Sequence, residues 1–330
     1  MLSKNFKFID LFSGIGGIRI AFENTGGKCV FSSEIDSECA KTYEENFSET
    51  PAGDVTQISP KDIPNHDILC AGFPCQPFSI SGHQKGFYDT RGTLFFNIME
   101  IVKEKSPSII FLENVKHLKN HDNGRTLKVI LRSLEDAGYY PNWKVLNAKD
   151  FGLAQNRERI YIVATKKGYF DFAKLKHDSP NVYIKDILDK TGDFHYLEES
   201  EYTILPEDIW KKQKSGLMFV GYRNKPIRKS GVRPNTEHLS RVHKQPNRIY
   251  HIEGTHPTLP SQEPTGRFWI YNDKRVRKLT INECYKLMGF PENFKRVSSN
   301  GALYNQVGNS VAIPVVQNLA REIFNQFGVE

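Results

Sequence analysis

Short apolar runs alternate with amphipathic stretches over the first 165 residues, and this alternation predicts an α/β fold. The apolar runs are continuous, as in parallel strands that are covered on both faces. We therefore predict a doubly wound, mostly parallel sheet. The predicted strands span residues 6–11, 29–33, 67–71, 108–112, 143–146 and 159–164. The predicted helices lie near residues 18–25, 38–47, 94–105 and 123–137.

The pattern changes after about residue 167, where prolines and glycines recur and helical periodicity weakens. This pattern continues to about residue 278 and predicts a smaller module rich in loops and short strands. Helical periodicity returns at residues 280–288, where Thr280 and Glu283 have the spacing of a capping box. A last helix is predicted over residues 314–327.

The composition is that of an ordinary globular protein, with 38% hydrophobic and 25% charged residues. No apolar run approaches the ~18 residues that span a membrane, and the N-terminus lacks the pattern of a secretory signal. The five cysteines are odd in number and irregularly spaced, which predicts neither a disulfide framework nor a zinc site. We expect a cytoplasmic protein in a reducing compartment, without a bound metal.

Positive charge is concentrated in one segment of the chain. The formal net charge is +7, whereas residues 211–248 contain eleven Lys and Arg residues and one acid, Glu237. A run of this kind is either a solvated basic face or a surface that binds a polyanion such as nucleic acid.

A glycine-rich turn follows the first predicted strand, at residues 12–17. Glycines there allow a ligand to approach the backbone, and two acids, Glu34 and Asp54, follow the next segments. The dinucleotide pattern would require a third glycine at position 19, which is Arg19. This argues against NAD and favours an adenosine-type cofactor such as S-adenosylmethionine; a tight turn without ligand is the alternative.

A second loop, residues 72–79, follows the third predicted strand and contains Cys75 between Pro74 and Pro77. Because proline is excluded from helix interiors and central strands, this cysteine lies on a stiff loop at a strand end. Enzymes of the α/β class place their chemistry there. Cys75 is therefore either a nucleophile or a small buried apolar residue.

Six motifs, in this order, resemble those of the DNA cytosine-C5 methyltransferases, and of the small bacterial restriction–modification enzymes most closely. The motifs are residues 12–17, Pro74-Cys75-Gln76, Glu113-Asn114-Val115, residues 155–159, residues 277–291 and Gly308-Asn309-Ser310-Val311. The resemblance implies a Rossmann-like, S-adenosylmethionine-dependent catalytic domain (1–167 with 302–330) and a target-recognition domain (168–301). It also implies duplex DNA as substrate, a monomer, and pairing with a restriction endonuclease.

The resemblance also implies roles for individual residues. Cys75 would attack C6 of a flipped-out cytosine as a thiolate, Glu113 would contact the N3 edge, and Arg157 and Arg159 would surround the base. S-adenosylhomocysteine would be the product. Asn114 would orient the loop of Pro74. The implied cofactor-binding residues are Phe12, Gly14, Gly16, Glu34, Ile35, Asp54, Val55, Gly72, Pro74, Leu94, Asn309 and Val311.

Candidate DNA-binding residues come from two segments. A glycine-bearing stretch after Cys75 would close over the flipped base, and the basic segment would contact phosphates and base edges. Thr258 matches a short Thr–Leu element of the recognition domains. The candidates are Ser79, Ser81, Gln84, Arg91, Arg223, Arg228, Arg233, Arg241 and Thr258.

Three other interpretations compete with a DNA methyltransferase. A non-catalytic relative is expected to lack Cys75, Glu113 or Arg159, and all three are present. A tRNA methyltransferase of the same fold commonly carries a Cys-Phe-Thr element, which this sequence lacks. A Rossmann oxidoreductase leaves the Pro-Cys-Gln loop unexplained.

The sequence predicts that Cys75→Ser abolishes methyl transfer to duplex DNA, because a hydroxyl is a much weaker nucleophile than a thiolate. Transfer of a labelled methyl group to DNA measures the effect. Cys39→Ser, at a cysteine outside the motifs, is the control and is expected to stay active. Unchanged activity of Cys75→Ser would contradict the covalent mechanism.

Overall fold

The computed structural model describes residues 6–74, 94–176, 179–226, 235–261 and 268–328. The chain divides into two compact units. The first comprises Met1–Leu146, Glu158–Lys176 and Val315–Glu330, and the second comprises Asn147–Arg157 and His177–Pro314. Relative to the predicted domains, residues 147–157 and 302–314 group with the second unit, and residues 168–176 group with the first. The catalytic and recognition roles of the two parts stay predictions.

The elements are numbered along the chain. The strands are β1 (Lys7–Leu11), β2 (Lys28–Ser33), β3 (Ile68–Gly72), β4 (Ile109–Val115), β5 (Tyr140–Asn147), β6 (Gln155–Asn156), β7 (Glu158–Thr165), β8 (Tyr202–Ile204), β9 (Phe219–Arg223), β10 (Arg248–His251), β11 (His256–Pro257), β12 (Trp269–Asn272) and β13 (Arg275–Lys278). The helices are α1 (Gly17–Glu23), α2 (Ser37–Phe47), α3 (Leu94–Lys105), α4 (Arg125–Asp136), α5 (Ile281–Lys286), α6 (Asn300–Asn309) and α7 (Ile313–Phe327).

The first unit is built on a sheet whose described strands run in the order β2-β1-β3-β4-β7-β5. Strands β1 to β4 pair in parallel, whereas β7 pairs with β4 in the antiparallel sense. An antiparallel β7 begins at the edge where the parallel strands end. The end of β3, the polar residues that end β4 and those that open β7 therefore lie at one edge of the sheet.

Both faces of this sheet are apolar, as the continuous runs predicted. One face packs Ile9, Leu69 and Ile110 against α3 and α4. The other carries an aromatic cluster in which the Phe22 ring lies 5.4 Å from Phe8 and 5.3 Å from Phe111. Covering a sheet on both faces is the arrangement expected for a doubly wound fold.

The predicted fold class is confirmed, and the predicted strands and helices of the first 165 residues are present with small shifts in their ends. Helix α6 was not predicted, because Gly301, Gly308 and several polar residues conceal its periodicity. Among the helices in the described ranges, none has both the length and the apolar character required to cross a bilayer.

The second unit contains a smaller sheet, ordered β13-β12-β10-β9-β8 among the described residues. Val220, Ile249 and Trp269 form its small apolar core with Leu197 and Val276. A separate two-stranded pairing joins β6 to β11. The loop-rich and β-rich character predicted for this part of the chain is thus observed.

A buried ion pair anchors α5 in the second unit. Arg277 Nη2 lies 2.7 Å from Glu283 Oε1 and Arg277 Nη1 lies 2.9 Å from Oε2, with side chains 3% and 0% exposed. The predicted capping box is confirmed, since Thr280 Oγ1 accepts from the Glu283 N–H and Glu283 accepts from the Thr280 N–H. Glu283 also accepts from the Asp189 N–H.

Glu283→Ala is expected to destabilise the second unit by about 3–5 kcal/mol, because it leaves the Arg277 guanidinium buried without its counter-ion. Denaturant unfolding monitored by tryptophan fluorescence measures the loss. Glu292→Ala, at an exposed acid of the same unit, is the control and is expected to change stability by less than about 0.5 kcal/mol. Equal effects of the two changes would show that the pair contributes little.

Candidate active site

The turn after β1 has an unusual backbone. Phe12, Gly14 and Gly16 have φ values of 57°, 54° and 84°. Positive φ is strained for a bulky residue such as Phe12, and strain of this kind concentrates at ligand sites. A Cβ on Gly16 would lie 2.2 Å from the Phe47 ring, so only glycine fits there. A Cβ on Gly14 would meet nothing within 4 Å, so the backbone beside Gly14 is open to a ligand.

Glu34 is fixed against this turn. One carboxylate oxygen accepts from the Gly14 N–H at 2.7 Å, and the other accepts from the Asp36 N–H at 2.8 Å. The next side chain, Ile35, is 74% exposed although it is apolar. Asp54 accepts from the Thr56 N–H at 2.9 Å, which holds the short turn that begins at the buried Val55.

These residues fit a nucleoside. The carboxylate of Glu34 retains lone pairs for ribose hydroxyls, an exposed aliphatic side chain suits the face of a purine, and the open backbone at Gly14 allows close approach. The described residues contain no cluster of three His, Cys, Asp or Glu side chains suited to a metal ion.

A carboxylate and a guanidinium face each other where β4 ends and β7 begins. Arg159 Nε lies 3.3 Å from Glu113 Oε1, and the two side chains are only 14% and 11% exposed. Val115 pairs with Arg159 across the two strands, so the antiparallel register brings the two side chains together. Arg159 Nη1 also donates to the Glu158 carbonyl at 2.9 Å.

Asn114 connects this pair to the loop that leads to the cysteine. Its Nδ2 donates to the Phe73 carbonyl at 2.8 Å, and its Oδ1 accepts from the Val115 N–H. Phe73 directly precedes Pro74, so the Asn114 amide holds the chain at that point. Gly72 lies close by, since a Cβ there would be 3.7 Å from Glu113 Oε2.

Several predicted site residues lie outside the described ranges. They are Cys75, Ser79, Ser81, Gln84, Arg91, Arg228 and Arg233. Leu94 is half-buried at the first position of α3, and Pro74 is exposed.

Arg157 is placed differently from Arg159. Its guanidinium is buried in the second unit, where it donates to the carbonyls of Gly308 at 3.0 Å and Ser310 at 2.6 Å. A longer bond of 3.4 Å reaches the Leu259 carbonyl. These contacts indicate that Arg157 holds main-chain segments in place. Its predicted contact with cytosine stays a prediction.

Gln155, which sequence reasoning did not single out as a functional residue, completes this arrangement. Its side chain donates to the Leu287 carbonyl at 2.9 Å and accepts from the Leu259 N–H at 3.1 Å. The sequence could have indicated Gln155, because it lies close to Arg157 in a polar run that precedes an apolar strand. The buried side chains of Gln155 and Arg157 thus connect β6 and the residue after it to three distant segments of the second unit, near Leu259, Leu287 and Gly308.

The remaining predicted residues of the second unit have varied surroundings. Asn309 is exposed at the end of α6 and donates to Asn305, whereas Val311 is buried. Thr258 Oγ1 donates to the Asn156 carbonyl at 2.9 Å. Arg223 stacks over the Trp269 ring at 4.8 Å, and Arg241 is exposed.

Much of the basic segment is available to solvent. Lys211, Lys212, Lys214, Lys225, Arg241 and Lys244 are all exposed. Arg248 instead donates to the His243 carbonyl, and the His243 ring stacks on Tyr222 at 3.9 Å. Burial lowers the pKa of His243, so this ring contributes packing and little charge.

The chain is similar to known proteins over nearly its whole length. The model of the C-5 cytosine-specific DNA methylase family matches residues 6–325. The type II methyltransferase M.HhaI of Haemophilus parahaemolyticus is 43% identical over 96% of this chain and 94% of its own. M.HpaII of Haemophilus parainfluenzae is 43% identical over 99% of this chain and 91% of its own. M.MspI of Moraxella is 44% identical over 97% of this chain and 71% of its own.

Solved structures of lower identity share the fold. The Dnmt2 methyltransferase of S. pombe aligns with a TM-score of 0.71 at 20% identity, over 98% of this chain and 100% of its own. The Entamoeba histolytica methyltransferase EhMeth aligns with a TM-score of 0.67 at 22% identity, over 98% of this chain and 99% of its own. With the fold and the family model in agreement, this chain belongs to the C-5 cytosine-specific DNA methylases and is an enzyme of the DNA cytosine-C5 methyltransferase class.

Proposed function

We propose that the protein transfers a methyl group from S-adenosylmethionine to C5 of a cytosine within a short specific sequence of duplex DNA. The observation that carries this proposal is the buried Glu113–Arg159 pair at the edge of the sheet. The pair lies in the same unit as the glycine-rich turn of residues 12–17. Asn114, next to Glu113, binds the carbonyl of Phe73, the residue before Pro74-Cys75. A carboxylate, a guanidinium and a cysteine are the groups that this reaction requires.

The cytosine ring is a poor nucleophile at C5, so the reaction begins with covalent attack at C6. Cys75 makes the bond to C6 as a thiolate, and the ring gains electron density at N3 and O2. Glu113 gives a proton to N3 as electron density increases there, and the Arg159 guanidinium donates to O2, where negative charge develops. After methylation, loss of the C5 proton, return of the N3 proton to Glu113 and elimination of the Cys75 thiolate restore the aromatic ring.

The residues of the first turn would hold the cofactor. Glu34 would bind ribose hydroxyls, Ile35 would pack on the adenine, and the backbone at Gly14 would lie against the ligand. When bound, S-adenosylmethionine supplies an electrophilic methyl group on a sulfonium. Phe12, Gly16, Asp54, Val55, Gly72, Pro74 and Leu94 complete the proposed site within the first unit. Cofactor binding by Asn309 and Val311 stays a prediction from the resemblance.

The substrate base must leave the stacked duplex to reach these groups, because a stacked base does not expose C6 to a protein nucleophile. The exposed lysines and Arg241 of the basic segment would contact DNA phosphates and supply salt-dependent affinity. Ser79, Ser81, Gln84 and Arg91 would close over the flipped base, and Arg223, Arg228, Arg233 and Thr258 would contribute to DNA contact.

The relatives named type II methyltransferases support a role in restriction and modification. We infer that the protein is the modification enzyme of such a system, acts as a monomer in a bacterial cytoplasm, and functions alongside a restriction endonuclease. Methylation of the shared target sequence would protect host DNA from that endonuclease.

Glu113→Gln is expected to lower the rate of methyl transfer by about 10²–10⁴-fold, because an amide cannot transfer a proton to N3 as a carboxyl group does. Single-turnover transfer of a labelled methyl group to duplex DNA measures this rate. Binding of S-adenosylhomocysteine, measured by calorimetry, is expected to stay within threefold of wild type.

Glu158→Gln is the matched control for this change. Glu158 is the neighbouring acid of β7, and it forms a solvent-exposed pair with Lys116 at 2.8 Å. Its replacement is expected to leave the rate within about threefold. A Glu113→Gln enzyme as fast as the control would contradict the proposed role of the carboxylate.

Bisulfite sequencing of DNA from cells that express the protein tests the whole proposal. We expect new 5-methylcytosine at one short sequence, and none in cells that express Cys75→Ser. Methylation of tRNA without methylation of DNA would contradict the proposed substrate.

A further inference from the structure

Arg19 is a buried cation on α1, three residues after Gly16 of the glycine-rich turn. Its side chain is only 10% exposed. The guanidinium donates to the Tyr43 hydroxyl, to Glu23 and to Glu49, each at 2.9 Å. Of these partners, Tyr43 belongs to α2 and Glu49 lies just beyond the end of that helix. Arg19 therefore connects α1 to the C-terminal part of α2.

The same guanidinium lies over two aromatic rings of α2. Its central carbon is 4.4 Å from the centre of the Phe47 ring and 5.4 Å from that of the Tyr43 ring. The two rings contact each other, with centroids 4.5 Å apart. A cation over the face of an aromatic ring is attracted to it, most strongly where both are shielded from water. The Arg19 guanidinium thus holds both rings by charge and one of them by a hydrogen bond as well.

The two rings form the surface against which the glycine-rich turn packs. A Cβ on Gly16 would collide with the Phe47 ring and would lie 3.3 Å from the Tyr43 ring. Gly16 has a φ of 84°, and its N–H donates to the Ser13 carbonyl at 2.8 Å, which closes the turn. Contacts therefore run from Arg19 through the two rings to the backbone of the turn.

Helix α2 is also linked to the turn at its other end. Its N-cap residue, Asp36, donates its N–H to the Glu34 carboxylate, and the same carboxylate accepts from the Gly14 N–H. One end of the helix thus reaches the turn through Glu34, and the other reaches it through the rings that contact Gly16. A displacement of α2 would alter both contacts.

The turn has little means of holding its own shape. Gly14 and Gly16 carry no side chain, so several backbone conformations are accessible to them, and Phe12 has a strained φ of 57°. Helix α1 has seven residues, too few to be stable without tertiary contacts. The conformation that leaves the backbone at Gly14 open therefore depends on contacts from outside the turn, and the rings held by Arg19 provide one set of them.

We propose that Arg19 is a positioning residue for the cofactor: it holds the Tyr43 and Phe47 rings against Gly16 and so keeps the glycine-rich turn in the conformation that binds S-adenosylmethionine. The inference rests on the proposed cofactor site, and it adds to that site a residue that acts through the two rings. Without the guanidinium, part of the binding free energy would be spent on ordering the turn. Affinity for the cofactor would fall, while the rate of the cofactor-saturated enzyme would change little.

Calorimetry with S-adenosylhomocysteine on the whole protein tests the proposal. Arg19→Met keeps most of the aliphatic bulk and removes the charge and the donors, so the dissociation constant is expected to rise by about tenfold. Arg19→Lys keeps the charge but cannot reproduce the planar guanidinium with its several donors, so a rise of about threefold is expected. In methyl transfer by Arg19→Met, the KM for S-adenosylmethionine is expected to rise with the dissociation constant, and kcat to stay within about threefold of wild type.

Tyr139→Phe is the control for a general loss of stability. The Tyr139 hydroxyl is buried in the same unit and donates to the Pro107 carbonyl at 2.6 Å. Its removal is expected to lower the midpoint of denaturant unfolding and to leave the dissociation constant within about twofold of wild type. Weakening of binding in Tyr139→Phe comparable to that in Arg19→Met would assign the effect to stability and overturn the inference.

Phe47→Leu tests the route through the ring. It removes the aromatic face that Arg19 covers and part of the surface that contacts Gly16, and it is also expected to weaken binding. Once the ring is absent, adding Arg19→Met is expected to cost no more than about threefold further, because both changes break the same series of contacts. Losses that multiply fully in the double variant would show that Arg19 acts by another route, and they would overturn the proposal.

The remaining outcomes separate this inference from the proposed cofactor site. Wild-type affinity in Arg19→Met would overturn the inference and leave the site in place. If Arg19→Met does not fold, Arg19→Lys and Tyr43→Phe decide: the second removes the hydroxyl acceptor and is expected to weaken binding by about threefold, and wild-type affinity in both would overturn the inference. Absence of any binding by the wild type would overturn the proposed cofactor site and this inference with it.

Discussion

The antiparallel pairing of β7 with β4 brings together the polar side chains at one edge of the sheet in the first unit. A parallel strand in that position would place Arg159 at the opposite end of the sheet from Glu113. The observed register instead sets the start of β7 against the end of β4 and brings Arg159 Nε within 3.3 Å of Glu113 Oε1. Asn114 extends the same constraint to Phe73, whose carbonyl accepts a hydrogen bond from the Asn114 side chain.

Charge burial distinguishes this edge from an ordinary surface. A pair that is 11–14% exposed has lost most of its hydration, so the two side chains depend on each other for electrostatic contact. In the proposed reaction, entry of the cytosine would exchange those contacts for contacts with N3 and O2. The exposed pair of Lys116 and Glu158, one position away, lacks that property because water screens it.

The second unit has a small apolar core and is held together by buried polar side chains as well. Its sheet has a small apolar core, and the unit also contains helices α5 and α6 and several loops. Gln155 and Arg157 donate to main-chain carbonyls at the ends of α5 and α6. Glu283, which pairs with Arg277, accepts from a main-chain N–H. Such contacts are directional, so they specify one arrangement of loops where apolar packing alone would allow several.

Local periodicity and residue order were enough to predict the fold class, most strands and helices of the first 165 residues, and the motifs that single out Cys75, Glu113 and Arg159. The sequence also predicted the Thr280–Glu283 capping box, which spans a single helical turn. The tertiary structure was needed to show that β7 runs antiparallel, that Arg157 turns to main-chain carbonyls while Arg159 meets Glu113, and that Asp10 is fully buried on β1. Those outcomes depend on strand pairing and burial between residues distant in the chain, which local patterns do not encode.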